Sequence, residues 1–174
     1  MKRDIIKPIL VLTLICLFTA AALAVTNSFT APVITTAAAE RAARVRSEII
    51  PEAEGFEPLS IDGMPDVVKE AYRATNNVGY VFVMKVAGYG GDIEIICGFR
   101  EDGTIITTRV LEHSETKGLG DRVADESFGN QFAGKDSSIP GVSAITGATI
   151  SSNAYLEAVR SAFTAFEMMR GAGG

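Results

Sequence analysis

The sequence predicts an α+β fold: one N-terminal transmembrane helix, then a single domain with an antiparallel sheet and packing helices. Three observations predict it. No charged residue occurs between Pro8 and Ala39, and Ile9 to Val25 within that stretch is densely apolar. Between Tyr80 and Leu111, three β-rich runs are separated by two glycine-bearing turns. Near the C-terminus, Leu156, Val159, Phe163 and Phe166 recur at helical spacing. The 174 residues suit one compact domain plus additions.

Residues 1–28 read as a cytoplasmic tip and a membrane anchor. Counted from Ile5, the apolar run is long enough to cross a hydrocarbon core of about 30 Å. Lys2, Arg3 and Lys7 precede it, which predicts a cytoplasmic N-terminus and an exported bulk. A cleaved signal peptide is the rival, with Ala22-Leu23-Ala24 as a small-x-small site. The run exceeds a usual signal core, which favours the uncleaved anchor. A lipid-attachment reading of Cys16 is disfavoured by the bulk of Ile15.

Residues 29–65 read as a juxtamembrane helix and a connection. Over 35–50, Thr36 is expected as a cap, Ala37 to Ala39 favour helix, and Glu40 pairs with Arg44 at i,i+4. Pro51 stops the helix. Residues 51–65, with three prolines and two glycines, are expected to be irregular. The whole segment reads as a passive spacer.

Residues 66–174 form the domain. Its first stretch, 66–79, is open between two readings. Val67, Val68, Ala71 and Tyr72 fit a helical stripe, while Val68, Tyr72 and Ala74 also alternate. Strands follow over Tyr80–Ala87, Ile93–Phe99 and Thr104–Leu111, with turns at Gly88–Asp92 and Glu101–Gly103. Cys97 shares a face with Ile93, Ile95 and Phe99 and reads as a small core residue. A short helix over 125–133 has Asp125 as cap and Phe128 and Phe132 on one face. The last helix is expected over Ala154–Arg170.

Composition narrows the function. Hydrophobic residues make up 47% of the chain, partly because of the N-terminus. Beyond residue 7 there are 13 basic and 20 acidic side chains, a formal charge of −7. That balance argues against nucleic acid and against adhesion to anionic lipid. Cys16 and Cys97 make no CxxC and no Cys/His cluster, so neither a zinc nor an iron–sulfur site is encoded.

Two stretches carry chemistry. Val142–Asn153, VSAITGATISSN, is centred on Thr146-Gly147-Ala148-Thr149 and followed by Ser151 and Ser152. Small and hydroxyl residues just before a helical run mark a helix N-terminus, whose free N–H groups and positive pole suit a phosphate. The bland reading is a simple N-cap by Ser151 or Ser152. His113–Gly120, HSETKGLG, follows a strand and packs the single histidine, a carboxylate and a hydroxyl before a Gly-x-Gly loop. The bland reading there is a polar turn with an exposed histidine.

The first stretch resembles the flavin-attachment motif Ser/Thr-Gly-Ala-Thr-x-Ser/Thr of an FMN-binding domain. The G subunit of the Rnf electron-transport complex and the C subunit of the sodium-pumping NADH:quinone reductase share that domain. The second stretch resembles the family's HxETPGLG motif at His113, Glu115, Thr116, Gly118, Leu119 and Gly120, with Lys117 in place of proline. The turn Gly88-Tyr89-Gly90-Gly91 also resembles the family, and the likeness covers roughly residues 78–160.

The resemblance implies FMN joined by a phosphodiester to Thr149. Thr146, Gly147, Ala148, Ser151, Ser152, His113, Glu115, Thr116, Gly118 and Leu119 would border it. It implies attachment from FAD by a flavin transferase of the ApbE type. Thr149 is then an attachment point and not a catalytic nucleophile. It also implies membership of a prokaryotic cytoplasmic-membrane complex, with an extracytoplasmic flavin domain. Such a protein relays electrons among the other membrane subunits of an ion-pumping Rnf-type ferredoxin:NAD oxidoreductase and catalyses no net reaction alone. The length favours the Rnf relative over the quinone-reductase relative. Two further readings stay open: a self-contained flavin reductase, for which no dinucleotide fingerprint is present, and a flavin-free anchored binding or assembly module.

Overall fold

The computed structural model describes residues 2–172, apart from the side chains of residues 2–8, 29, 31–39 and 172. It divides the chain into two compact units, Met1–Arg44 and Val45–Gly174.

The first unit is helical. Helix α1 runs Lys2–Ile49, and its residues from Val45 onward belong to the second unit. Within it, Ile9–Ser28 has a mean hydropathy of 2.6 and is long and apolar enough to cross a membrane. The Thr13, Thr19 and Thr26 hydroxyls donate back to the carbonyls of Ile9, Ile15 and Ala22. Those bonds remove the cost of bare hydroxyls in an apolar segment. The separate helix expected over 35–50 does not form, because α1 is continuous through it. Extending a helix already begun is cheaper than nucleating another. The side chains of Thr36, Lys2, Arg3 and Lys7 lie outside the described residues. At the C-terminal end, the Ile50 N–H still bonds the Arg46 carbonyl at 3.1 Å. Pro51, with no N–H to give, ends the helix there.

The second unit holds a five-stranded meander: β1 (Phe56–Pro58), β2 (Val68–Ala74), β3 (Gly79–Ala87), β4 (Asp92–Arg100) and β5 (Ile105–His113). Strands adjacent in sequence are adjacent in the sheet, and every pairing is antiparallel. β1 lies inside the stretch expected to be irregular. β2 settles the ambiguity over 66–79 in favour of a strand. Its register shifts between Val68 and Glu70, so Val68, Ala71 and Ala74 are buried at intervals of three. A bulge of this kind changes the phase of a strand, which is why the sequence imitates a helical stripe.

Both faces of the sheet are covered. On one, Phe82, Met84, Val86, Ile93, Ile95, Cys97 and Phe99 pack in a single core with the long C-terminal helix. Phe99 stacks on Phe166 at 5.3 Å and meets Phe163 edge-on at 4.9 Å. Burial pushes the Cys97 thiol pKa well above its ordinary value, as expected of a core residue. On the other face, Ile49 and Ile50 cover Val81, Val83 and Ile96. They are 1% and 0% exposed, so residues 49–50 are core and not part of a passive spacer.

Between β5 and the last helix the chain forms a 3-10 turn over Gly120–Ala124, helix α2 (Glu126–Gly129) and a second 3-10 turn over Asn130–Phe132. The single helix expected over 125–133 is therefore broken. Asp125 occupies the N-cap position of α2 without making a side-chain capping bond. The break lets both rings reach Tyr155, Phe128 edge-on at 5.1 Å and Phe132 stacked at 5.2 Å. The last helix, α3, spans Thr149–Ala172.

Candidate functional site

The site is organised by the start of α3. Gly147 has φ +85°, a left-handed conformation that a side chain resists. Its turn carries the chain from Ile145, whose carbonyl accepts the Ala148 N–H at 3.0 Å, into the helix. Helix α3 thus begins at Thr149, five residues before the expected Ala154. Ser151 and Ser152 lie inside its first turn and cap nothing. Both are buried, at 1% and 0% exposure, because each has an inward partner. Ser152 Oγ accepts the Ile145 N–H at 3.0 Å, and Ser151 Oγ donates to Glu115 Oε2 at 2.7 Å. Those tertiary bonds let hydroxyl residues enter the helix where local preference would keep them outside it.

The Ser152 N–H bonds the Ala148 carbonyl at 2.9 Å. The N–H groups of Thr149, Ile150 and Ser151 precede the first carbonyl within helical reach, so they are left for an outside acceptor. The Thr149 side chain is exposed beside them.

A cleft of about 370 Å³ opens in front of this helix end. Gly147, Ala148, Thr149, Ile150 and Ser151 form one wall. Tyr89, Glu115, Thr116, Leu119 and Gly120 form the other. Glu115 is buried, and its Oε1 accepts the N–H groups of Tyr89 at 2.8 Å and Gly90 at 3.2 Å. The Thr116 carbonyl accepts the N–H groups of Leu119 at 3.2 Å and Asp121 at 3.3 Å. The loop therefore closes on itself around Lys117, where the family motif has proline.

The fold brings together seven of the residues singled out in the sequence: Glu115, Thr116, Leu119, Gly147, Ala148, Thr149 and Ser151. The other four lie elsewhere. Ser152 is buried behind the helix start. Thr146 lines a neighbouring hollow with Arg122 and Gln131. His113 is the last residue of β5, where its Nδ1 accepts the Glu115 N–H at 3.2 Å, and neither it nor Gly118 lines the cleft. Three lining residues are not among those singled out: Tyr89, Gly120 and Ile150. Tyr89 reads as a hairpin-turn residue; its signal in the sequence is the family-like turn Gly88–Gly91 that holds it, and the structure adds its 72% exposure beside Glu115. Gly120 is legible as the end of the His113–Gly120 stretch, while Ile150 carries no signal of its own.

An FMN-binding domain family matches residues 88–164, which include both walls of the cleft. Among curated proteins, the chain is 35% identical to the G subunit of an ion-translocating oxidoreductase complex of Methanosarcina acetivorans, over 92% of this chain and 94% of that one. It is 28% identical to the G subunit of a proton-translocating ferredoxin:NAD(+) oxidoreductase complex of Clostridium ljungdahlii, over 87% of this chain and 85% of the relative. It is 30% identical to the G subunit of a Na(+)-translocating ferredoxin:NAD(+) oxidoreductase complex of Acetobacterium woodii, over 91% of this chain and 89% of the relative. Among solved structures, Shewanella oneidensis NqrC matches with a TM-score of 0.50 at 22% identity, over 59% of this chain and 61% of that one. That last likeness is one of fold. With an exposed threonine at a helix start, a cleft beside it and relatives matching over about nine-tenths of both chains, the chain belongs to the G-subunit family of the Rnf ion-translocating electron-transport complex.

Proposed function

We propose that this chain is the membrane-anchored, flavin-carrying electron-relay subunit of an ion-translocating oxidoreductase, with FMN esterified through its phosphate to Thr149 Oγ. One observation carries the reading. The exposed Thr149 stands at the N-terminus of α3, beside free N–H groups, on the wall of a cleft of about 370 Å³. The residues present fit the group. A phosphodiester keeps one negative charge, which the N–H groups and the positive end of α3 can receive. Apolar Leu119 and Ile150 and the Tyr89 ring offer surface to a flat aromatic ring at the cleft mouth. Bound there, FMN would supply electron-transfer chemistry, which a phosphate linkage leaves untouched.

The chain's own residues hold and orient. Exposed Gly147 carries no side chain, so a phosphate and a modifying enzyme can approach Thr149 past it. Among the described residues no candidate base is bonded to the Thr149 hydroxyl, so activation is assigned to a separate flavin transferase of the ApbE type. Transfer from FAD would form the Thr149 Oγ–P bond, break the pyrophosphate P–O bond and release AMP. The hydroxyl proton would pass to a base of the transferase. Assembly with the other membrane subunits of an Rnf-type complex follows from what the relatives are named as. Lys2, Arg3 and Lys7 before Ile9–Ser28 support a cytoplasmic N-terminus and an extracytoplasmic flavin domain.

The test is chemical. Protein matured in its native host and then denatured should fluoresce as a flavin. Peptide mapping should show a mass gain of FMN minus one water at Thr149. Thr149→Val should lose both signals, and a flavin that stays attached in that variant would refute the linkage.

A further inference from the structure

Glu115 faces the cleft but has little capacity left to contact a ligand. Its Oε1 accepts two N–H groups from the turn after β3, those of Tyr89 and Gly90. Its Oε2 accepts the Ser151 hydroxyl from the first turn of α3, two residues after Thr149. Two glycines make room for it. A Cβ at Gly88 would sit 2.0 Å from Oε1, and a Cβ at Gly120 would sit 2.1 Å from Oε2. Three separate segments thus converge on one carboxylate: the turn at Gly88–Gly91, the loop ending at Gly120, and the start of α3.

We propose that Glu115 is a positioning residue, a strut that ties the Tyr89–Gly90 turn to the first turn of α3 and so holds Thr149 facing the cleft for modification. The purpose rests on the reading of Thr149 as the flavin attachment point. The strut itself rests on the bond geometry alone. Each end of the side chain is bonded to a different element, Oε1 to the Tyr89–Gly90 turn and Oε2 to the first turn of α3. A group displaced by about 1 Å from its reactive position can lose about a hundredfold in rate. Freeing the start of α3 is therefore expected to act on the modification step.

Glu115→Gln separates a strut from a charge. The amide oxygen can still accept the Tyr89 and Gly90 N–H groups, and the amide nitrogen can donate to Ser151 Oγ. Glu115→Ala removes every bond. Ser151→Ala cuts only the arm to α3. The apo-chain of each variant would be treated with FAD and the transferase, and attachment followed by mass. Glu115→Ala should be slowed by at least about tenfold, in keeping with the loss of all three hydrogen bonds to a buried side chain. Ser151→Ala should fall between it and the parent, and Glu115→Gln should stay within about threefold of the parent. A Gln variant as slow as the Ala variant would overturn the proposal, since the charge itself would then be acting. So would an Ala variant modified at the parental rate.

Backbone hydrogen exchange is the second readout. Glu115→Ala should speed exchange at Tyr89 and Gly90 and also at Ser152 in the first turn of α3. Loosening at only one end would overturn the strut. If the parent itself takes up no flavin, the linkage reading fails, and the exchange pattern still decides the role of Glu115.

Discussion

At the scale of single residues, the site depends on side chains whose partners are far away in sequence. Gly147 is one whose constraint is local. With φ +85° and ordinary clearance for a Cβ from Leu119, its replacement is opposed by backbone conformation and not by crowding. Gly147→Ala should cost about 1–2 kcal/mol in denaturant unfolding. It should also slow flavin attachment by shifting the start of α3. Tyr155 is a second residue with a measurable signature. Its hydroxyl donates to Thr108 Oγ1 at 2.7 Å inside the core, and burial raises its pKa above the ordinary 10.0. The neutral phenol is the form the fold favours. Its contribution to stability is therefore complete below pH 10 and is lost as pH rises past the unfolded value towards the folded one. Tyr155→Phe should cost about 1 kcal/mol near neutral pH. It should also flatten the fall in stability above pH 10. The fall should not vanish, because Tyr72 is raised too, by partial burial and by Glu70.

At the scale of elements, α3 does two jobs at once. Its body supplies Tyr155, Ala158, Val159, Ala162, Phe163 and Phe166 to the core, and its first turn presents Thr149 to the cleft. Packing of the body fixes the direction in which the first turn points. The end of α1 does comparable work on the opposite face of the sheet, where Ile49 and Ile50 seal Val81, Val83 and Ile96. Glu48 and Arg109 join the same helix end to β5 with a bond of 2.7 Å, but both are half exposed, so the apolar contacts carry the stability. Ile49→Ala should lower stability by about 2–5 kcal/mol, the range for emptying a fully buried aliphatic site. Calorimetry or denaturant titration of the second unit would check it. A loss below about 1 kcal/mol would mean that the α1 end rests only loosely on the sheet.

At the scale of the whole molecule, the division after Arg44 predicts where the chain can be cut. A fragment beginning at Val45 should fold, stay soluble and accept flavin from the transferase. A fragment beginning after Ile50 should not, because the second face of the sheet would lie open to water. Circular dichroism and mass measurement distinguish the two outcomes. The uncut chain should remain with membranes through alkaline carbonate washing, and loss of residues 1–28 should release it. On the proposed topology, a C-terminal reporter that works only outside the cytoplasm should be active, and an inactive one would refute the proposed orientation.

The sequence by itself determined the apolar segment, the three consecutive strands β3 to β5 and the two stretches that meet at the cleft. Each of these is a local pattern: an uncharged run, alternation between glycine turns, and small and hydroxyl residues ahead of a helical spacing. Only the tertiary structure decided where α3 begins, because Ser151 and Ser152 enter the helix through bonds to Glu115 and Ile145 that no local preference encodes. It also decided that β2 is a strand, since a bulge hid the alternation, and that Ile49 and Ile50 are core, since their partners lie far along the chain in β3 and β4. Within the site it kept Thr149 and Glu115 at the cleft and set His113, Thr146 and Ser152 aside. Spacing in sequence reports which residues are near along the chain, whereas the direction of a side chain is set by the elements packed against it.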